Sequence, residues 1–258
     1  MKLATWNVNS LKVRLPHVLE FLDRHKPDAL CLQELKLEDL KFPLADINAA
    51  GYQAVYAGQK TYNGVAILSP TAAADVSAGI PSLDDPQKRV IAATVNGVRV
   101  VCVYIPNGEA VESDKYKYKL DWLMALIVWL KQELAAYPKL ALLGDYNIAP
   151  ADRDVYDPKA WVGKVLFSDP EKAAFKDMIT LGLTDSFRMF DQADKSYSWW
   201  DYRMNGFKRN LGLRIDHILL SAELAKTCTS CAIDRDFRAK ERPSDHAPVI
   251  AEIGISEF

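Results

Sequence analysis

Apolar residues along the chain fall into short runs, and most of these runs end on a polar side chain. Lys2 to Trp6 alternates and stops at Asn7-Val8-Asn9; Ala29 to Leu32 is a short buried run that delivers Gln33-Glu34. Tyr52 to Ala57 and Val65 to Leu68 read as strands around Asn63-Gly64, a turn signal, with Lys60 and Tyr62 on the connecting loop. Val90 to Val95 and Val98 to Ile105 flank Asn96-Gly97, the strongest hairpin signal in the chain. Leu140 to Leu143 runs into Gly144-Asp145-Tyr146-Asn147. Positions two apart share a face in an extended strand, so Asp145 and Asn147 are predicted to project together, with Gly144 letting the backbone turn. Further strands are predicted over Leu213 to Leu220, with Arg214 and Asp216 on one face, over Thr227 to Ile233, and over Val249 to Ile253.

Helical spacing is clear in three places. Leu15, Val18, Leu19 and Leu22 mark a helix from Leu11 to His25, stopped by Lys26-Pro27-Asp28. Leu120, Leu123, Met124, Ile127, Leu130 and Leu134 give an apolar stripe over Lys115 to Tyr137, closed by Pro138. The lysines at its start, Lys115, Lys117 and Lys119, read as a solvated face. Ser168-Asp169-Pro170-Glu171 has the form of a capping box with proline in the first turn, opening a helix through Leu181. Ala149 to Lys164, with Asp152, Asp154 and Asp157, reads as a long loop. Many strands, few helices and two hairpin signals predict an α/β protein of two mixed sheets packed face to face with helices outside.

The 258 residues suit one domain, spanning 1–258, and an apolar fraction of 49% suffices for a sizeable core. A net charge of −2 gives no global signature of a nucleic-acid binder, although a basic rim around an acidic site would cancel in the sum. MKLATWNVNS is not a secretory signal, and the longest apolar run, Trp122 to Leu130, is far short of the roughly 18 residues that a bilayer requires. A cytoplasmic, monomeric protein without a membrane partner is the expectation. Of the four cysteines, Cys31 and Cys102 read as core. Cys228 and Cys231 form C-x-x-C without a second pair at zinc spacing, so no redox or zinc role is assigned.

Strand ends are where sites are built on rigid scaffolds, and here they carry Asn7 and Asn9, Glu34, Tyr104 with Asn107, Asp145 with Asn147, and Asp245 with His246. A buried carboxylate needs a metal, a cation or a substrate group as partner. Hard oxygen donors with few imidazoles suit Mg²⁺ or Mn²⁺ rather than zinc. A histidine beside carboxylates can act as a base or hold a phosphate.

Six runs in order, Thr5-Trp6-Asn7-Val8-Asn9, Leu32-Gln33-Glu34-Leu35-Lys36, Asn63-Gly64-Val65-Ala66, Gly144 to Pro150, Gly212 to Asp216 and Ser244-Asp245-His246-Ala247-Pro248, resemble the signature of the exonuclease III family. That family lies within the endonuclease/exonuclease/phosphatase superfamily. The resemblance covers Met1 to about Ile253. It implies a four-layered α/β sandwich with the site at one edge of two packed sheets. It also implies metal-dependent phosphodiester hydrolysis on double-stranded DNA: incision 5′ of abasic sites, 3′-to-5′ exonuclease action and clearing of blocked 3′ ends.

By position, Glu34 resembles the family's metal carboxylate, assisted by Asn7, and the metal group as a whole takes in Asn7, Glu34, Asp145, Asn147, Asp245 and His246. Asp145 matches the residue that positions or deprotonates the attacking water, and Asn147 an amide on the scissile phosphate. Tyr104 and Asn107 match phosphate contacts, His246 the phosphate-binding imidazole and Asp216 its orienting partner. Trp199 and Trp200 resemble a wedge beside a flipped abasic sugar, and Arg203, Lys208 and Arg209 would grip the backbone there. Asn9 departs from the aspartate of some relatives, leaving open one metal ion or two. The wall of the sugar pocket is expected from Val162 to Ser168 and at Leu213. A phosphodiesterase acting on inositol phosphates or sphingolipids, and a catalytically inactive nucleic-acid-binding module, are the alternatives.

Overall fold

The computed structural model describes residues 1–254, so the last four residues of the expected domain lie outside it. Two six-stranded mixed sheets dominate. Their strands are β1 (Lys2–Asn7), β2 (Ala29–Gln33), β3 (Gln53–Ala57), β4 (Val65–Ser69), β5 (Ala74–Ala78), β6 (Val90–Val95), β7 (Val98–Tyr104), β8 (Leu140–Asp145) and β9 (Leu183–Asp185). The rest are β10 (Trp199–Trp200), β11 (Gly212–Leu213), β12 (Asp216–Ser221), β13 (Cys228–Ile233) and β14 (Val249–Ile253). The first sheet runs β13-β14-β1-β2-β4-β3, the second β5-β6-β7-β8-β12-β9, and β10 and β11 form a separate ribbon. The main helices are α1 (Leu11–His25), α2 (Leu44–Ala49) and α3 (Asp114–Ala136), followed by the short α4 (Pro158–Trp161), then α5 (Asp169–Thr180) and the short α6 (Ala222–Ala225).

The layers follow from the period of two along each strand. Leu3, Cys31 and Ile67 of the first sheet meet Val100, Cys102, Leu143 and Ile218 of the second in one apolar core between the sheets. On the outer face of the second sheet, Val101, Val103 and Leu142 pack under Trp122, Leu126 and Trp129 of α3 and Phe175 of α5. On the outer face of the first, Ala4, Trp6 and Leu32 pack under Val18, Phe21 and Leu22 of α1. The order helix, sheet, sheet, helix is the expected four-layered sandwich.

α1 keeps the bounds predicted for it, and Lys26 ends it in the left-handed conformation with its N–H on the Leu22 carbonyl. The capping box at Ser168 and Glu171 forms as expected. β5, β9 and α2 carry no sequence signal strong enough to predict them. β5 is an exposed edge strand of small and polar residues, Ala74-Asp75-Val76-Ser77-Ala78, so it lacks an apolar period.

Five expectations are corrected. Of the predicted stripe on α3, Leu120, Leu123, Ile127, Leu130 and Leu134 pack on the sheet and only Met124, 64% exposed, does not; Trp122, Leu126 and Trp129 widen the stripe. Lys119 is not on a solvated face; its side chain is fully buried against Glu171. The loop from Ala149 to Lys164 contains a 3-10 turn at Asp152–Asp154 and α4. The strand predicted over Leu213 to Leu220 breaks at Arg214 and Ile215, because the Ser198 hydroxyl takes the Ile215 and Asp216 amides. Arg214 turns instead to Asp154 and Asp185. Gly144 does not serve a turn; a Cβ there would lie 1.9 Å from the Val103 carbonyl oxygen of the neighbouring parallel strand.

Candidate active site

The site forms where the seam between the two sheets opens at the strand ends. In β8, Ala141 and Leu143 face the seam, so Asp145, two residues further, faces it too. The same parity places Asn7 beyond Leu3 on β1, Tyr104 beyond Cys102 on β7, and Asp216 ahead of Ile218 on β12. Strand register then sets them side by side: Tyr104 and Asp216 both pair with Asp145 from opposite neighbours, and Asn7 pairs with Gln33, next to Glu34. The apolar core thus ends in a polar cluster.

Asn7 is its centre. The buried Nδ2 donates to Glu34 Oε1 and to Asp145 Oδ2, both at 2.8 Å, and Oδ1 accepts the Asn9 amide at 3.0 Å. Tyr104 donates its hydroxyl to Glu34 Oε1 at 3.1 Å, and Lys36 Nζ lies 2.9 Å from Glu34 Oε2. His246 holds Nδ1 2.9 Å from Asp216 Oδ2 and Nε2 3.7 Å from Asp145 Oδ2. Ser198 donates to Asp216 at 2.6 Å. Asp145 Oδ1 accepts the Asn147 amide, and Asn147 Oδ1 accepts from Asn107 Nδ2 at 3.2 Å. Asn9, Glu34 and Asn147 all adopt positive φ, between 45° and 52°. Such backbone strain costs of order 1 kcal/mol or more per residue and persists where the surroundings hold the geometry.

Burial is the main force on Asp145 and raises its pKa to about 7; His246 opposes that rise, while Asp216 and Glu34 add to it. Burial alone would depress His246, but Asp216, Asp145 and Asp245 outweigh it and lift its pKa to about 10. His246 is therefore an imidazolium at neutral pH. Burial, with Glu34 and Asp145 beside it, pushes the Tyr104 phenol well above its ordinary value, so it remains a donor.

Oxygens of Glu34 and Asp145 and a ring nitrogen of His246 lie within 4.8 Å of one another, a spacing that fits a divalent cation. The two carboxylates are the better donors, since an imidazolium has no free lone pair. Asp245 stands apart from this trio: its oxygens are taken by Asn9 Nδ2 at 3.0 Å and Trp199 Nε1 at 2.9 Å. Asn147 is likewise engaged: Oδ1, the atom that could ligate, accepts from Asn107 Nδ2, and Nδ2 donates to the Ile105 carbonyl.

The profile of the Endonuclease/Exonuclease/phosphatase family matches residues 4–246, which include every side chain of this cluster. The chain belongs to that family. Within it, the chain is 38% identical to exodeoxyribonuclease III of Haemophilus influenzae, over 98% of this chain and 99% of the other. Among solved structures, the 3′-5′ exonuclease NExo of Neisseria meningitidis superposes with a TM-score of 0.97 at 53% identity, covering 99% of this chain and all of the other. An AP endonuclease from Archaeoglobus fulgidus gives 0.95 at 38% identity, with the same coverage.

The family's expected DNA-facing residues divide on burial. Trp199 is half-buried at the rim, bridged to His246 and bonded to Asp245. Trp200 is not a wedge: it is fully buried, edge-on to Phe207, with its indole N–H on Asn210. Alternation along the strand explains this, since neighbours in β10 must point to opposite faces. Leu213 is also fully buried, beneath Trp199 beside Val155 and Phe167, so it supports a pocket wall without presenting surface. Arg203, Lys208 and Arg209 are exposed, although Arg203 is paired with Asp201.

Three neighbours of the cluster fall outside the candidate site residues read from the sequence. Lys36 carries the best signal of the three, because it stands two residues beyond Glu34. Ser198, between aromatic residues, and Lys119, in a lysine run, carry no local signal.

Proposed function

We propose that this enzyme is a divalent-metal-dependent DNA repair nuclease that works at 3′ ends of duplex DNA, removing blocking phosphates and nucleotides, and incises at abasic sites. The observation that carries the reading is the single cluster of Asn7, Glu34, Asp145, Asp216 and His246 at the seam mouth. The 53% identical relative, a 3′-5′ exonuclease that in a second structure, bound to a product DNA hairpin, is a 3′ phosphatase, supports 3′-end processing; the AP endonuclease supports abasic incision.

In this reading Glu34, with Asp145 beside it, would hold Mg²⁺, with Mn²⁺ as a substitute. When bound, the ion supplies Lewis-acid stabilisation of charge on phosphate oxygens. Asp145 takes a proton from the attacking water. The new P–O bond forms in line as the ester P–O bond breaks. His246, as imidazolium, neutralises charge on a non-bridging oxygen, and Asp216 keeps its proton on Nδ1. Tyr104 and Asn107 donate to phosphate oxygens. Trp199 stacks at the rim, and Lys208 and Arg209 meet the DNA backbone. An inositol phosphate or sphingolipid substrate has no support in the relatives named above, and a non-catalytic binding module would not require this set of coupled ionisable groups.

The test is a side-by-side assay on a 3′-phosphate hairpin, an abasic duplex and a blunt duplex, each with Mg²⁺ and with EDTA. Mg²⁺-dependent release on the first substrate and cutting of the second are expected. Undiminished activity in EDTA, or no turnover of any DNA substrate, would overturn the reading.

A further inference from the structure

Lys119 on α3 is fully buried, and every donor of its ammonium is used. Nζ bonds the Asn147 carbonyl at 2.6 Å, the Asn107 carbonyl at 3.1 Å, and Glu171 Oε1. Glu171 is equally buried and bonds the Leu166 and Ser168 amides and the Ser168 hydroxyl. One charge pair therefore ties together three segments: the loop after β7, the loop after β8 and the start of α5.

The two carbonyls belong to the two asparagines whose side chains bond each other at the site. The pair is stapled twice, by its side chains on the cleft side and by Lys119 beneath. Asn147 needs this support, because it sits at φ 50°. An apolar residue in place of Lys119 would take the donor from both carbonyls and leave that of Asn147 buried without one, and the loops would relax to find one. The fit is close: a Cβ at Gly108 would come within 3.1 Å of the Lys119 stem. A buried ion pair is a poor way to gain stability over apolar packing, so the charge is better explained by what it holds in place.

We propose that Lys119 is a positioning residue for catalysis, fixing the backbone of Asn107 and Asn147 so that their amides meet the scissile phosphate, and the neighbouring Asp145 the attacking water, in register. This rests on the nuclease reading above and adds to it a residue outside the cleft. Displacement of a reacting group by about 1 Å can cost about 10²-fold in rate, and that is the scale expected here.

Two variants separate positioning from scaffolding. Glu171→Gln removes the charge pair but keeps the Lys119 bonds to both carbonyls. Lys119→Met combined with Glu171→Gln removes those bonds without stranding a buried charge. Both are compared with the wild-type protein on a 3′-phosphate hairpin for single-turnover rate, DNA Kd and Tm. Glu171→Gln should keep its rate within about 3-fold while losing Tm. The double variant should lose about 10²-fold in rate, with Kd within about 3-fold and Tm no lower than that of Glu171→Gln. Equal rates in the two variants, a loss confined to Kd, or unfolding of the double variant alone would overturn the proposal and leave Lys119 a scaffold residue. Wild-type protein without Mg²⁺-dependent turnover would instead overturn the nuclease reading.

Discussion

Asp216→Asn changes only one atom, yet the hydrogen bonds around it decide its effect. The Ser198 hydroxyl already accepts two backbone amides, from Ile215 and Asp216, so its proton must be donated, and Asp216 Oδ2 receives it. An asparagine must turn its carbonyl to that proton, because an amide N–H there would face another donor. That carbonyl stays 2.9 Å from His246 Nδ1 and can still accept from it, while the NH₂ group takes the place of Oδ1 at 3.1 Å. What is lost is the carboxylate charge that does most to hold the second proton on the ring, so the imidazolium gives way to a neutral imidazole. A hydrogen bond to a charged group is worth about 1.5–3 kcal/mol, so removing the charge from the phosphate-facing nitrogen costs roughly 10- to 150-fold in rate.

The pH dependence follows in sign. In the wild-type protein, His246 has its pKa raised to about 10, so its contribution to stability is complete below the unfolded value of 6.5 and is lost as pH rises through about 10. In the variant, burial prevails and that pKa falls steeply. Asp145 loses both the His246 charge that lowers its pKa and the Asp216 charge that raises it; the first is the larger, so its pKa moves up from the wild-type value of about 7. The rate profile should therefore move to the alkaline side. Nitrogen NMR of the His246 ring in metal-free protein at a pH of about 8 should show both nitrogens protonated in the wild type and only one protonated in the variant. A variant still doubly protonated, or one within about 3-fold of the wild-type rate, would refute this reasoning.

Asp145→Asn should reduce cleavage by more than about 10³-fold while DNA Kd stays within about 3-fold; retained turnover would show that another group activates the water. Gly144→Ala places a Cβ 1.9 Å from the Val103 carbonyl oxygen within the central parallel pair. A cost of about 3 kcal/mol or more and a Tm drop of roughly 6–12 °C are expected, and an unchanged Tm would mean that β7 and β8 can separate freely. Trp199→Ala should slow abasic-site incision about 10-fold more than hydrolysis of a small diester; equal losses on both would make Trp199 a support for Asp245 alone.

The residues at the ends of the apolar runs are legible as chemistry in the sequence, and the strands and helices that carry them are legible from their period. Asn7, Glu34, Tyr104, Asp145 and His246 stand out because a polar group where a buried strand stops must be satisfied by something. Which way a side chain faces at the rim is harder to read. Trp199 and Trp200 are adjacent aromatics with one composition, and only the pairing of β10 with β11 sends one to the cleft and the other inward. Lys119 reads as one of three surface lysines until α5 is packed on α3 and brings Glu171 to it.

Local sequence thus determined the elements, the strand-end carboxylates and amides, and the family. Tertiary structure alone decided that groups more than two hundred positions apart share one proton network, which residues of a motif are buried, and where a lysine's charge is spent. The reason is that periodicity and turn chemistry act over a few residues, whereas register between strands, the stacking of two sheets and the dielectric around each charge are set by partners distant in the chain.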